Sequence, residues 1–194
     1  MKKTAVLLFD LFSNYELSVA LSVLAQGGKA FDVFCLNREA ASEEGLRVQR
    51  DKALDGLTIA EYDSLLIPGC MDPREIIDDP RIHAFLRSFD LERHVVAAIS
   101  SAPLLLLKAG MLEGKRYLAG AVKEELLEEG FTMEQMRGMR DVTRLDNGDG
   151  TSTLCMADGN LLTAVGRGFI AFGLQFGRML GLRFEPAWYG TDVV

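Results

Sequence analysis

The stretch VVAAISSAPLLLLKAG, residues 95–110, decides the fold. Five apolar residues, two of them valine and one isoleucine, read as a buried strand. Ser100 and Ser101 interrupt the run, and a leucine-rich helix follows at once, stopped by Gly110. A strand that passes through a hydroxyl pair straight into a helix is one way an α/β enzyme lifts a nucleophile out of its sheet. Ser100 also has a plainer use, since Ser100 or Ser101 would serve as an N-cap for the helix behind it. The glycines of a G-x-S-x-G elbow are absent, so the hydrolase signature is not met.

Outward from this stretch, strand-like and helical runs alternate. TAVLLF (4–9), FDVFCL (31–36) and YDSLLIP (62–68) read as core strands, as does HVVAAIS (94–100). A helix with Leu17, Ala20, Leu21 and Leu24 on one face follows the first strand, and Pro73 and Pro80 each stand where a helix can begin. GLRVQRDKALDGL (45–57) reads as a polar hairpin or edge excursion, and KEELLEEG (123–130) as a short acidic helix. TRLDNGDGTSTLCM (143–156) reads as two strand pieces joined by an Asn-Gly-Asp-Gly turn, before the strand NLLTAVG and a last helix from about residue 168 to 180. Strands that read as buried on both faces and are separated by helices imply a mostly parallel central sheet with helices on both faces. In such sheets ligands bind beyond the carboxyl ends of the strands, here residues 10–16, 68–72, 100–103 and 166–168.

The bulk composition agrees. A chain of 194 residues, 48% hydrophobic, can bury one sizeable core, and a single domain spanning 1–194 is expected. A net charge of -7 argues against nucleic acid and anionic membrane as partners. The apolar stretch at residues 5–9 is too short for a secretion signal or a span. Three widely spaced cysteines, Cys35, Cys70 and Cys155, offer neither a disulfide framework nor metal-type spacing, so a reduced, cytoplasmic setting with no metal and no cofactor is expected.

Three residues at the strand ends carry candidate chemistry. Glu16 stands in Ser13-x-x-Glu16, the spacing of a capping box. It is equally a carboxyl among apolar neighbours, which would raise its pKa if it pointed toward Ser100. Cys70 follows Pro68-Gly69 and is either a reactive thiol near a helix start or a small buried hydrophobe. The two histidines, His83 in a helix and His94 at the amino end of a strand, lie away from the carboxyl edge, so no Ser-His-Asp relay is available.

Taken in order, AVLLFDLFSNYEL, YDSLLIPGC, VVAAISSAPLLLLKAG, MLEGK (111–115) and DGNLLTAVGRG resemble the ThiJ/PfpI family across nearly the whole length. The resemblance implies a flavodoxin-like three-layer sandwich related to class I glutamine amidotransferases, and a homodimer. It also implies a pocket for a small-molecule ligand or substrate. In the family a glutamate contacts the nucleophile, a glycine pair after the third strand offers amides to an oxyanion, and the elbow carries a reactive cysteine. On that basis Glu16 matches the glutamate, Gly69 the first glycine and Cys70 the second. Ser100 takes the nucleophile position and Ser101 the next. YLAGAVKEE (117–125) lacks the histidine that some members place there.

A serine stays protonated and needs a base, and a carboxylate of ordinary pKa matches that task poorly at pH 7. Sulfenic acid chemistry at position 100 is excluded, because it needs sulfur. Three functions follow. The first is a hydrolase, lyase or amidotransferase-like enzyme acting on a small carbonyl or amide through Ser100 and Glu16. The second is a non-catalytic binding or regulatory member, and the third a redox-responsive protein using Cys70. The enzyme leads because a carboxyl in an apolar niche is costly to keep without use. DLFSNYEL is too bulky and acidic for a flavodoxin phosphate loop, and no dinucleotide fingerprint follows the first strand.

Overall fold

The computed structural model describes residues 1–148 and 151–190. β1 (Lys3–Leu8) leads through a 3-10 turn (Asn14–Leu17) into α1 (Ser18–Gln26) and β2 (Phe31–Cys35). A hairpin of β3 (Glu39–Ala41) and β4 (Arg47–Gln49) follows, then the two-residue β5 (Lys52–Ala53), β6 (Tyr62–Ile67) and α2 (Pro80–Arg87). The elbow joins β7 (Val95–Ile99) to α3 (Ala102–Lys108). Beyond it come β8 (Tyr117–Leu118), α4 (Lys123–Glu128), β9 (Met139–Arg140), β10 (Cys155–Asp158), β11 (Leu161–Ala164) and α5 (Phe169–Met179).

Seven strands form the central sheet in the order β10-β11-β7-β6-β1-β2-β5. All neighbours run parallel except β10, which returns antiparallel to β11 as an edge. β1 and β6 are buried almost end to end, as strands covered on both faces must be. The crossover through α1 steps from β1 toward β2, whereas those through α2 and α3 step the opposite way along the sheet. Right-handed crossovers therefore set α1 on one face and α2 and α3 on the other. The order reverses between β1 and β6, which is where an open α/β sheet forms its ligand crevice. This is the flavodoxin-like α/β arrangement that the alternating sequence pattern implies.

Some expected elements differ. Pro73 starts a pair of turns, with the Ile76 and Ile77 amides donating to its carbonyl, and only Pro80 opens a helix, where Asp79 caps the amide of Arg81. The expected hairpin over 143–156 shrinks to a single Asp146–Ser152 bridge. Its second strand piece pairs with β11 instead, through Cys155 and Ala164. Asp149 and Gly150 of its turn lie outside the described residues. A backbone committed to a central sheet edge gains more ladder bonds than a free two-strand ribbon can offer.

α5 seats on α1 because residues 173 and 177 are glycine. A Cβ at Gly173 would lie 2.6 Å from the Ala20 amide nitrogen, and one at Gly177 would lie 2.2 Å from Val23 Cγ1. Backbone cannot swing aside as a flexible side-chain tip can, so Gly173→Ala is expected to force the helices apart. The expected loss is about 1–3 kcal/mol, read as a lower urea midpoint; an unchanged midpoint would show that the pair tolerates separation.

Candidate active site

Four strand ends deliver the site. The loop after β1 carries Glu16, that after β6 carries Gly69 and Cys70, the β7–α3 elbow carries Ser100 and Ser101, and Gly166 follows β11. Ser100 has φ 62°, a left-handed conformation that a serine adopts only under constraint. Two bonds hold it there: its amide donates to the Ala164 carbonyl at 2.8 Å, and its carbonyl accepts from the Gly120 amide at 2.6 Å. Gly120 must be glycine, since a Cβ there would stand 2.9 Å from the Ser100 carbonyl carbon. Neither serine caps α3. Ser100 precedes the cap position, and Ser101, which occupies it, makes no side-chain cap bond.

Glu16 is 1% exposed. Its Oε2 accepts from the Gly69 amide at 2.7 Å and the Tyr15 hydroxyl donates to Oε1 at 3.4 Å, while Ser100 stands beside the same carboxylate, both of them packed around Gly69 and Gly166. The structure therefore brings Glu16 and Ser100 together in one niche. The capping box does not form, because the Ser13 hydroxyl donates to Glu43 Oε2 at 2.8 Å and caps nothing. Burial pushes the Glu16 carboxyl above its ordinary value, against the pull of the Gly69 amide and the Ser100 and Tyr15 hydroxyls, and the Glu43 charge adds to the rise.

Gly69 is required by close approach. A Cβ at this position would lie 2.6 Å from Ser100 Cβ and 2.9 Å from the Ser101 nitrogen. The amides that kinship offers to an oxyanion are both engaged within the fold. That of Gly69 serves Glu16, and that of Cys70 donates to Ser101 Oγ at 2.9 Å, whose own hydroxyl returns a bond to the Cys70 carbonyl at 2.9 Å. Cys70 itself is buried, and burial pushes its thiol up to about 11, the same value as Cys35; Cys155 reaches about 12. Cys70 is thus not singled out as a thiolate at neutral pH. His83 Nε2 pairs with the Ile77 carbonyl and His94 Nδ1 with that of Asp90, both away from the niche.

Three contributors escaped the sequence reading. Tyr15 puts its hydroxyl on Glu16, Gly120 clamps Ser100, and the β3–β4 hairpin straps the loops in place. Glu43 accepts from the Ser13 hydroxyl and the Met71 amide, while Glu44 accepts from the amides of Asn14 and Tyr15 at 3.1 and 3.4 Å. Apart from the Tyr15–Glu16 contact between neighbours, these bonds join segments 20 to 30 positions apart, so local spacing carries no signal of them.

A mostly parallel sheet with a strained serine at a strand–helix elbow, facing a buried glutamate, defines a flavodoxin-like α/β protein. The DJ-1/PfpI family profile matches residues 2–178, and the chain belongs to that family. It is 32% identical over 123 residues to protein/nucleic acid deglycase 2 of Escherichia coli, covering 61% of this chain and 70% of that one. It is 27% identical over 115 residues to a deglycase of Thermococcus kodakarensis, covering 59% and 69%. The crystal structure of the DJ-1 superfamily protein Atu0886 of Agrobacterium tumefaciens superposes with a TM-score of 0.78 at 21% identity, covering 98% of this chain and 95% of that one.

The raised Glu16 pKa has a thermodynamic consequence. A carboxyl titrating higher in the folded than in the unfolded chain contributes stability while both are protonated. That contribution is lost as pH climbs from the ordinary value of 4.5 through the raised one. Glu16→Gln removes the titration and keeps an acceptor for the Gly69 amide. The melting temperature of the variant relative to wild type is therefore expected to rise between about pH 4 and about pH 8. A difference that stays flat with pH, or falls, would contradict the raised pKa.

Proposed function

We propose that the protein is an enzyme acting on a small carbonyl or amide compound, with Ser100 as nucleophile and Glu16 as its base. The observation that carries this reading is that Ser100 and a buried carboxylate, whose pKa burial has raised, stand side by side around Gly69 and Gly166. A base works best when its pKa lies near the working pH, so the rise moves Glu16 toward the task that an ordinary carboxylate performs poorly. In the reaction Ser100 Oγ bonds to the carbonyl carbon, its proton passes to Glu16, and the carbonyl π pair moves to oxygen. For an ester or amide Glu16 then returns the proton to the leaving group, and water releases the acyl-serine in a second cycle; for an aldehyde it returns the proton to the substrate oxygen, and the adduct is a hemiacetal. The strained backbone at Ser100 holds Oγ in place, so little of the attack geometry has to be found afresh.

Kinship with deglycases supports small reactive aldehydes of the glyoxal type as substrates to try first, beside simple esters and amides. A cytoplasmic setting, supported by three free thiols, and a homodimer belong to the same reading. One observation favours a second reading, a binding member without turnover: both amides after β6 are engaged by the fold. That reading expects thermal stabilisation by small carbonyl ligands with no product formed.

Turnover decides between the two. Ser100→Ala and Glu16→Gln are each expected to lower kcat at least about a hundredfold on whichever substrate the wild type consumes. The wild-type rate should climb with pH through a limb above the ordinary glutamate range, because only the ionised carboxylate accepts the proton. A Ser100→Ala variant with an undiminished rate would refute the nucleophile.

A further inference from the structure

Addition to a carbonyl needs a donor for the oxygen that becomes negative, and such a donor is worth several kcal/mol of barrier in a water-poor site. The Gly69 and Cys70 amides are held in short bonds of 2.7 and 2.9 Å to groups of the fold itself. Releasing the first would strip a buried carboxylate of its shortest hydrogen bond; releasing the second would open the Ser101 bridge to α3. Neither is free for a substrate.

Tyr15 is differently placed. Its hydroxyl reaches Glu16 Oε1 at 3.4 Å, long for an O–H···O bond and readily exchanged. Its ring stands edge-on to Phe169 at 5.5 Å between centroids, and its amide donates to Glu44, so ring and backbone are both fixed. The residue is 44% exposed, placing it where the niche meets solvent. Burial and the Glu16 charge raise its pKa above 10, so the phenol keeps its proton at neutral pH. Three polar atoms then converge on the position a Cβ would take at Gly166: Glu16 Oε1 at 2.7 Å, Tyr15 Oη at 2.9 Å and Ser100 Oγ at 3.5 Å. Because residue 166 has no side chain, no methyl separates the phenol from the nucleophile. An oxygen on a carbon bonded to Ser100 Oγ can turn into this space toward the phenol, the side from which an oxyanion donor must reach it.

We propose that the Tyr15 hydroxyl, in place of the Gly69 and Cys70 amides, is the oxyanion donor of this site, and that it turns from Glu16 to the substrate oxygen as Ser100 attacks. The assignment rests on Ser100 being the nucleophile, as set out above. It makes Tyr15 a catalytic residue selective for carbonyl compounds small enough to lie between Gly166 and the phenol. The timing also suits Glu16. As the carboxylate takes the Ser100 proton it loses the charge that held the phenol, and the negative charge now on the substrate oxygen is the better acceptor.

The test uses 1,1,1-trifluoroacetone, whose ketone adds to a serine as a hemiketal that fluorine NMR resolves. The whole protein is titrated with the ketone as wild type, Ser100→Ala and Tyr15→Phe. Wild type is expected to form the adduct and Ser100→Ala to form none. Tyr15→Phe should form it at least about tenfold more weakly, with ionisation of the hemiketal hydroxyl moved to higher pH and the melting temperature unchanged. A merely structural tyrosine would shift the melting temperature and leave that ionisation alone. If Tyr15→Phe binds and ionises as wild type does, the donor assignment falls while Ser100 stands. If wild type forms no adduct, or Ser100→Ala forms as much, the nucleophile falls and the donor with it.

Discussion

A carboxyl group 1% exposed to solvent is the constraint around which the rest of this protein is arranged. Taking a carboxylate out of water is expensive unless hydrogen bonds replace the lost hydration. Glu16 finds them in the Gly69 amide and, more loosely, the Tyr15 phenol, with Ser100 packed close by. Each partner comes from a separate place in the chain or stands beside Glu16 itself, and each needs its own support. Gly69 must lack a side chain so that the elbow can close on it. Ser100 must accept a left-handed backbone, held by Ala164 and Gly120. The turn before Glu16 is fastened from outside by Glu43 and Glu44. A second left-handed residue, Leu11, bends the chain into that turn, with its amide donating to the Ala41 carbonyl at 2.7 Å.

The sheet explains why these segments meet. The order of strands reverses between β1 and β6, so the loops leaving them diverge to opposite faces and leave a crevice at the carboxyl edge. Glu16 and Gly69 line it from those two strands, and Ser100 and Gly166 enter from β7 and β11 alongside. None of these four residues lies in an α-helix. The helices hold the strands at fixed spacing, with α1 and α5 locked by the close approach at Gly173.

Much of the architecture was legible in the sequence because parallel strands covered on both faces must be mostly apolar, and TAVLLF, YDSLLIP and VVAAIS are. Glu16 and Ser100 were legible as candidates, but their bonding was not. Ser13-x-x-Glu16 has the spacing of a capping box, and only the fold reveals that Glu43 draws the Ser13 hydroxyl away while Gly69 takes the carboxylate. The serine pair likewise looks like a helix cap. The chain instead spends Ser101 on bridging to Cys70 and holds Ser100 back at φ 62°. Tyr15 was invisible because a half-exposed aromatic beside an acid is commonplace, and its role depends on what lies opposite. The hairpin over 143–156 misled because an Asn-Gly turn reports local preference alone, whereas β10 answers to the open edge of β11.

In the proposed function a hydroxyl must attack, which shifts the demand from nucleophile to base, and everything then turns on the protonation of one buried carboxyl. The most direct measurement is a carbon NMR titration of the Glu16 side-chain carboxyl in wild type and in Ser100→Ala. The account predicts a midpoint above the ordinary glutamate value in wild type, and a higher one still in the variant, where the hydroxyl that lowers it is gone. A wild-type midpoint at or below 4.5, or one indifferent to the loss of the Ser100 hydroxyl, would contradict it.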